Sequence, residues 1–338
     1  MMFKPTAKSH PLPPMPADSV FAGERYKQNM AILHKFAEGP MPTFSPHPAH
    51  GVPPDFIVIL LSSLRGLLVS FSPKGLLFCS FHLNSRIHKN VWQWEMSTAH
   101  ICFIENIERT YAYAVWATEN NDLGNFLGFA EIAIVQICKH HQFEEDKIYP
   151  FFAKHSGIDP WSKNVAEHHT FSTPLELLWL YLRHSRETLS PPPKPVTSPV
   201  PTPPEEILSL DRSQAPLLDF NKPFDPYAMR RHMDSFMDIL TQHLTDEIDT
   251  LTPEIMTHFP QEKDKELRKM MEEHFKAYDP AWFLCSAFTT VDITLLKEII
   301  PLPFLVRRVL VPFILGPKYS GFWLYSKYPQ NLTWAGTA

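Results

Sequence analysis

Apolar residues recur at helical spacing along four long stretches of the chain. The first stretch, about 86–116, carries Met96, His100, Phe103, Ile107, Tyr111 and Ala114. The second, about 122–149, carries Phe126, Ala130, Ala133, Ile137, His140, Glu144 and Ile148. The third, about 162–187, has Val165, His168, Ser172, Leu175, Trp179 and Leu182, and the fourth, about 226–252, has Met229, Met233, Phe236, Leu240, His243, Glu247 and Leu251. Each series steps by three or four residues, so each predicts one buried face of a long helix. Short links join the first three stretches, which predicts an all-α fold built on an antiparallel up-down four-helix bundle. A shorter helix is expected over Glu24–Phe36, and helical text with aromatic groups such as AWFLCSAF (281–288) and GFWLY (321–325) follows the fourth stretch.

Proline placement sharpens the boundaries. Of 34 Pro, eleven fall in residues 1–54 and eleven between Pro191 and Pro226, and none lies from Lys74 to Tyr149. A Pro inside a helix costs about 3 kcal/mol, so the gap permits long helices and the two blocks forbid them. The expected organisation is a Pro-rich N-terminal arm (1–54), an apolar packing segment (55–85), the bundle (86–255) and a helical C-terminal extension (256–338). A Pro-rich insertion (190–225) separates the third and fourth helices, and its SPPPKPVTSPVPTPPEE run reads as a polyproline-type spacer. Its P-x-x-P spacings, Pro192–Pro195 and Pro201–Pro204, are of the kind that docks into aromatic grooves of a protein partner.

Charge and cysteines remove other classes. A formal net charge of −5 offers no broad basic field for nucleic acid. Cys79, Cys102, Cys138 and Cys285 are scattered with no CxxC, as expected for thiols of a reducing compartment, and the opening MMFKPTAKSHPLPP lacks the apolar core of a secretion signal. A cytoplasmic location is the expectation. The best membrane candidate, Phe56–Phe71, is short and contains Arg65, so packing against protein is expected instead of a span.

The polar residues on the apolar stripes carry the chemistry. His100, His140, Glu144, His168, His243 and Glu247 all point at one predicted interior. A carboxylate in an apolar core is costly unless paired or bound to metal, and His and Glu four apart share a helix face. Two such pairs and two single His suit a dinuclear site of iron or manganese, with zinc an alternative. Six side chains with shared carboxylates leave coordination positions open to water, O2 or peroxide. His141, Glu145, His169 and Asp246 lie beside the stripes and are expected to be solvated or to support the ligands. His141 is set aside because its face leads back to the charged Glu131. His10, His47, His50, His258 and His274 sit in unpatterned or polar text, with no metal role expected.

The segment KHHQFEEDKIYPFF (139–152) places Pro150 six residues after Glu144, and HLTDEIDTLTP (243–253) repeats the layout with Pro253 after Glu247. Together with STAHICFIENIERTY (97–111) and NVAEHHTF (164–171), these residues resemble the hemerythrin-like (HHE cation-binding) superfamily. The likeness is nearest to the large hemerythrin-like proteins of filamentous fungi, which also carry a C-terminal extension. The resemblance implies a four-helix bundle around a non-haem di-iron centre, with His100, His140, Glu144, His168, His243 and Glu247 as ligands. The chain departs from the family at Ser172, where a fifth His is common, and Pro174 follows. That departure implies redox reactivity with O2, peroxide or another small oxidant in preference to simple O2 carriage. A metal-storage or O2/NO-sensing protein and a metal-free interaction scaffold are the alternative functions.

Overall fold

The four stripes lie on helices, and the computed structural model that places them describes residues 9–37, 85–192, 200–292, 306–319 and 321–332. Among these residues the structure is all-α, with no β-strand. The elements are α1 (Glu24–Ala37), α2 (Ser85–Glu119), α3 (Leu123–Phe143), α4 (Tyr149–Ser156), α5 (Ser162–Glu187), α6 (Pro226–Asp234), α7 (Met237–Asp246), α8 (Asp264–Lys276) and α9 (Pro280–Thr290), with shorter turns between them. Helix α2 packs on α3, α3 on α5, α5 on α6 and α7, and these last two return to α2. Stripe residues Ile107, Phe126, Ile137, Leu175, Trp179, Met233 and Leu240 are buried between them. The segment 55–85, with its Phe56–Phe71 run and Cys79, lies outside the described residues except for the first residue of α2. Among the described residues no helix is long and apolar enough to cross a membrane.

Two of the expected helices are interrupted, each for a local reason. The second ends as an α-helix at Phe143, and Glu144–Ile148 form a wider π turn in which the Tyr149 N–H reaches the Glu144 carbonyl. Pro150 has no N–H to continue the tighter ladder, so the widened turn lets α4 start directly behind it. The fourth breaks at Ser235–Phe236, where the Ser235 hydroxyl donates to the His232 carbonyl at 2.6 Å. Such local bonding by serine competes with the helix ladder. Past Asp246 the chain tightens into a 3-10 turn, Glu247–Leu251, and Pro253 opens the next short helix.

Outside this group the chain wraps closely. Helix α1 packs on α2 and α7. The described part of the insertion is packed too: Val200, Ile207, Leu218, Phe220 and Phe224 are buried, and the Pro201 carbonyl accepts from Arg183 at 3.1 Å. Pro201–Pro204 is therefore engaged by the chain itself, and Pro195 lies outside the described residues. In the C-terminal extension, α9 packs on α2 and α3, and the turn Phe322–Tyr325 lies over α3. Gly128 permits that approach, since a Cβ there would stand 2.0 Å from the Phe322 ring.

Candidate metal centre

His140 and Glu144 are one turn apart at the end of α3, and His243 and Glu247 repeat that relation at the end of α7. Helix α2 brings His100 and α5 brings His168. The structure gathers all six in one interior and adds a seventh. Two groups result that could each hold a metal ion: His141, His168 and His243, and His100, His140, Glu144 and Glu247, the ligand atoms within each group lying within 4.8 Å of one another. The carboxylates stand between two sets of imidazoles. Glu144 has Oε1 3.0 Å from His140 Nε2 and Oε2 3.9 Å from His168 Nε2. Glu247 Oε2 is 3.4 Å from His100 Nε2 and 3.5 Å from His243 Nε2.

His141 corrects the expectation from the sequence. It is 4% exposed, and its ring lies 4.3 Å from that of His168 and 5.5 Å from that of His243. The charge at Glu131 that argued against this face is not solvated. Glu131 is fully buried and accepts from Arg186 Nε at 2.7 Å, with Arg183 and the Trp179 indole each at 3.4 Å. A buried ion pair had the appearance of a wet helix face. The position of the absent fifth His, Ser172, instead donates to the His168 carbonyl at 2.6 Å. His169 is exposed, and Asp246 accepts from Gln242. His10 packs against Tyr113 and Tyr325, far along α2 from the ligands.

The outer nitrogens explain how the rings are held. His100 Nδ1 lies 2.6 Å from the Leu244 carbonyl, which can only accept, so Nδ1 carries the proton. His168 Nδ1 donates to Glu145 Oε1 at 2.8 Å, and His243 Nδ1 donates to Glu167 Oε2 at 2.9 Å. Each ring is thus oriented by the neighbouring element: α2 by α7, α5 by the π turn, and α7 by α5. In all three, the Nε2 lone pair is turned inward. Glu167 was not legible as a functional residue, because it is simply the residue before His168.

The inner atoms fit a cation. Both oxygens of Glu144 and of Glu247, and Nε2 of His141, His168 and His243, are buried without a hydrogen-bond partner. An unsatisfied buried polar atom costs roughly 1–3 kcal/mol, and so many facing one another is explicable when a positive ion collects their lone pairs. Electrostatics agrees. Burial, and then the adjacent Glu144, push Glu247 well above the ordinary carboxylate range, and burial does the same to Glu144. Burial, with neighbouring imidazoles, holds His100 and His141 well below their ordinary value. It lowers His140 to about 4 and, with His243 nearby, His168 to about 2. Burial thus favours the free imidazoles and the protonated carboxyls over their charged forms.

Two expected results follow. Because burial favours the protonated carboxyls, metal binding displaces protons from Glu144 and Glu247 over the pH range in which they hold them, and the affinity rises with pH there. Calorimetry in two buffers of different ionisation enthalpy reads that release; heats that do not depend on the buffer contradict it. His141→Ala is expected to weaken metal binding by at least the 10–100-fold typical of an outer partner, while His169→Ala leaves it unchanged. Equal titration curves for the two variants would remove His141 from the centre.

Fold and site thus define an all-α protein with buried His/Glu groups able to bind metal. No protein-family model and no solved structure matches the chain. It is similar to the dimeric xanthone biosynthesis cluster protein R11 of Cryptosporiopsis sp. (strain 8999), at 23% identity over 241 residues that cover 69% of this chain and 76% of that protein.

Proposed function

We propose that this chain is a hemerythrin-like non-haem di-iron protein that uses the metal in redox chemistry with O2 or peroxide. In this reading α2, α3, α5 and the α6–α7 pair form an antiparallel up-down four-helix bundle around the two ions. The observation that carries it is the donor set: five His and two Glu from four helical stretches, with both carboxylates placed between two sets of imidazoles. His141 restores the fifth imidazole that Ser172 does not supply. Iron bound there supplies electron transfer to an oxidant, which none of these side chains can do alone.

The side chains around that ion have distinct tasks. His141, His168 and His243 offer three donors on one side, and His100 and His140 offer two on the other, where a small oxidant has more room. His140 is the ligand with the most exposed side chain, at 16%, and Phe103 lies 4.9 Å from its ring. That apolar neighbour limits water at the open side. Phe171 closes the other side, 5.2 Å from both His141 and His243. The relative's place in a xanthone biosynthesis cluster supports a biosynthetic setting for the reaction. Anaerobic loading of the metal-free protein with Fe(II), followed by oxygen, is expected to give near-ultraviolet and visible charge-transfer absorption. Protein that stays colourless and retains no iron would overturn the proposal.

A further inference from the structure

The two sets of imidazoles are not supported alike. On the three-His side, His168 and His243 each donate Nδ1–H to a carboxylate, from Glu145 at 2.8 Å and Glu167 at 2.9 Å. On the two-His side, His100 donates to the neutral Leu244 carbonyl, and His140 has no outer partner among the described residues. A carboxylate behind an imidazole makes its inner nitrogen a stronger donor and fixes the ring, while a carbonyl does the second with little of the first. Glu145 and Glu167 also sit at the rim of the interior, with side chains 30% and 28% exposed. They bring negative charge to the solvent-facing edge of the three-His side, and an arriving cation meets it before the buried ligands.

We propose that Glu145 and Glu167 are positioning residues that make the His141–His168–His243 side the tighter half, so that the two halves of the centre load in order. The inference rests on the reading of this interior as a two-metal centre. In it, the first ion seats among three imidazoles, and the second, held by His100 and His140 with the shared Glu144 and Glu247, is the looser. Lys163, 3.2 Å from Glu167, tempers that carboxylate's charge without displacing it from His243.

The test is an anaerobic titration of the metal-free protein with Fe(II) alone, followed by calorimetry and iron analysis. The unaltered protein is expected to bind in two steps of different affinity. Glu167→Gln keeps an acceptor oxygen and loses the charge; it and Glu145→Gln are each expected to weaken the tighter step about 10–100-fold, leaving the looser step and the unfolding temperature of the metal-free protein little changed. His140→Ala should do the reverse, abolishing the looser step and sparing the tighter one. If the Gln variants weaken both steps alike, or only the looser one, the ordering is wrong while the two-metal centre stands. If the unaltered protein binds no iron, the centre itself falls, and the ordering with it.

Discussion

Glu247→Leu should leave the protein unable to hold either metal ion, yet no less stable when metal-free. In the proposed centre the carboxylate serves both halves, since its Oε2 lies 3.4 Å from His100 Nε2 and 3.5 Å from His243 Nε2. Losing it costs each half a donor and half of the negative charge that offsets the ions, whereas His100→Ala removes one neutral donor from one half. Stability moves the other way. Both oxygens of Glu247 are buried without hydrogen-bond partners, and burial favours its protonated form. Replacing an unsatisfied buried polar group with an apolar one of similar size removes a penalty of roughly 1–3 kcal/mol. The expected result is therefore metal content near zero and a denaturation midpoint at or above that of the metal-free parent. A variant that binds iron normally, or unfolds well before the metal-free parent, would show Glu247 to be a structural residue.

Glu131→Ala should produce the opposite pattern, a large loss of stability with the ligands left in place. Glu131 is fully buried in α3, ten residues before His141, and anchors Arg183 and Arg186 of α5. Burial pushes its carboxyl up, and the Arg186 and Arg183 guanidiniums pull it back toward the charged form. Removing one partner of a buried pair strands the other charge, at a cost of about 3–5 kcal/mol. Arg186, hydrogen-bonded at 2.7 Å, is the group left stranded; Arg183 retains Glu187 at 2.9 Å. Urea denaturation of the metal-free protein measures the loss, and the double variant Glu131→Leu/Arg186→Leu should recover part of it, because an apolar pair replaces the broken ionic one. A loss below about 1 kcal/mol, the range of exposed ion pairs, would mean that the pair is solvated.

These two glutamates also mark how far the sequence could be read. The helices were legible because their stripes are long and uninterrupted, and His100, His168, His243 and Glu247 stood out because, Ser172 aside, the rest of those faces is apolar. His141 was lost because a single polar residue on its face was read as solvent contact. The missing information was the partner: Arg183 and Arg186 lie three residues apart beside Trp179, on a helix the sequence already placed next to α3. Glu145 was expected from the sequence to be solvated or to support a ligand, but which histidine it reaches, and any role for Glu167, were illegible for a different reason. Each reaches a histidine on another element, so no spacing within one helix signals it. The π turn at Glu144 and the break at Ser235 depend on which carbonyl a missing or competing donor leaves free, as at Pro150 and Ser235, and hydrophobic periodicity carries no such detail.

The same pattern explains why two prolines recur at one offset. Pro150 and Pro253 each follow a candidate ligand glutamate by six residues, and in both cases the α-helix changes form at that glutamate, into a π turn after Phe143 and a 3-10 turn after Asp246. The carboxylates that face both sets of imidazoles therefore sit where the backbone leaves regular α geometry. Pro174, beside Ser172, has its carbonyl bonded by His232 Nε2 at 2.8 Å, which ties α5 to α6 just beyond the site.

The most direct measurement is diffraction from crystals of the iron-loaded protein, recorded on both sides of the iron absorption edge. Two anomalous peaks are expected inside the cage, one among His141, His168 and His243 and one beside His100 and His140, with Glu144 and Glu247 between them. A cage with no anomalous peak, or iron found only at other residues, would contradict it.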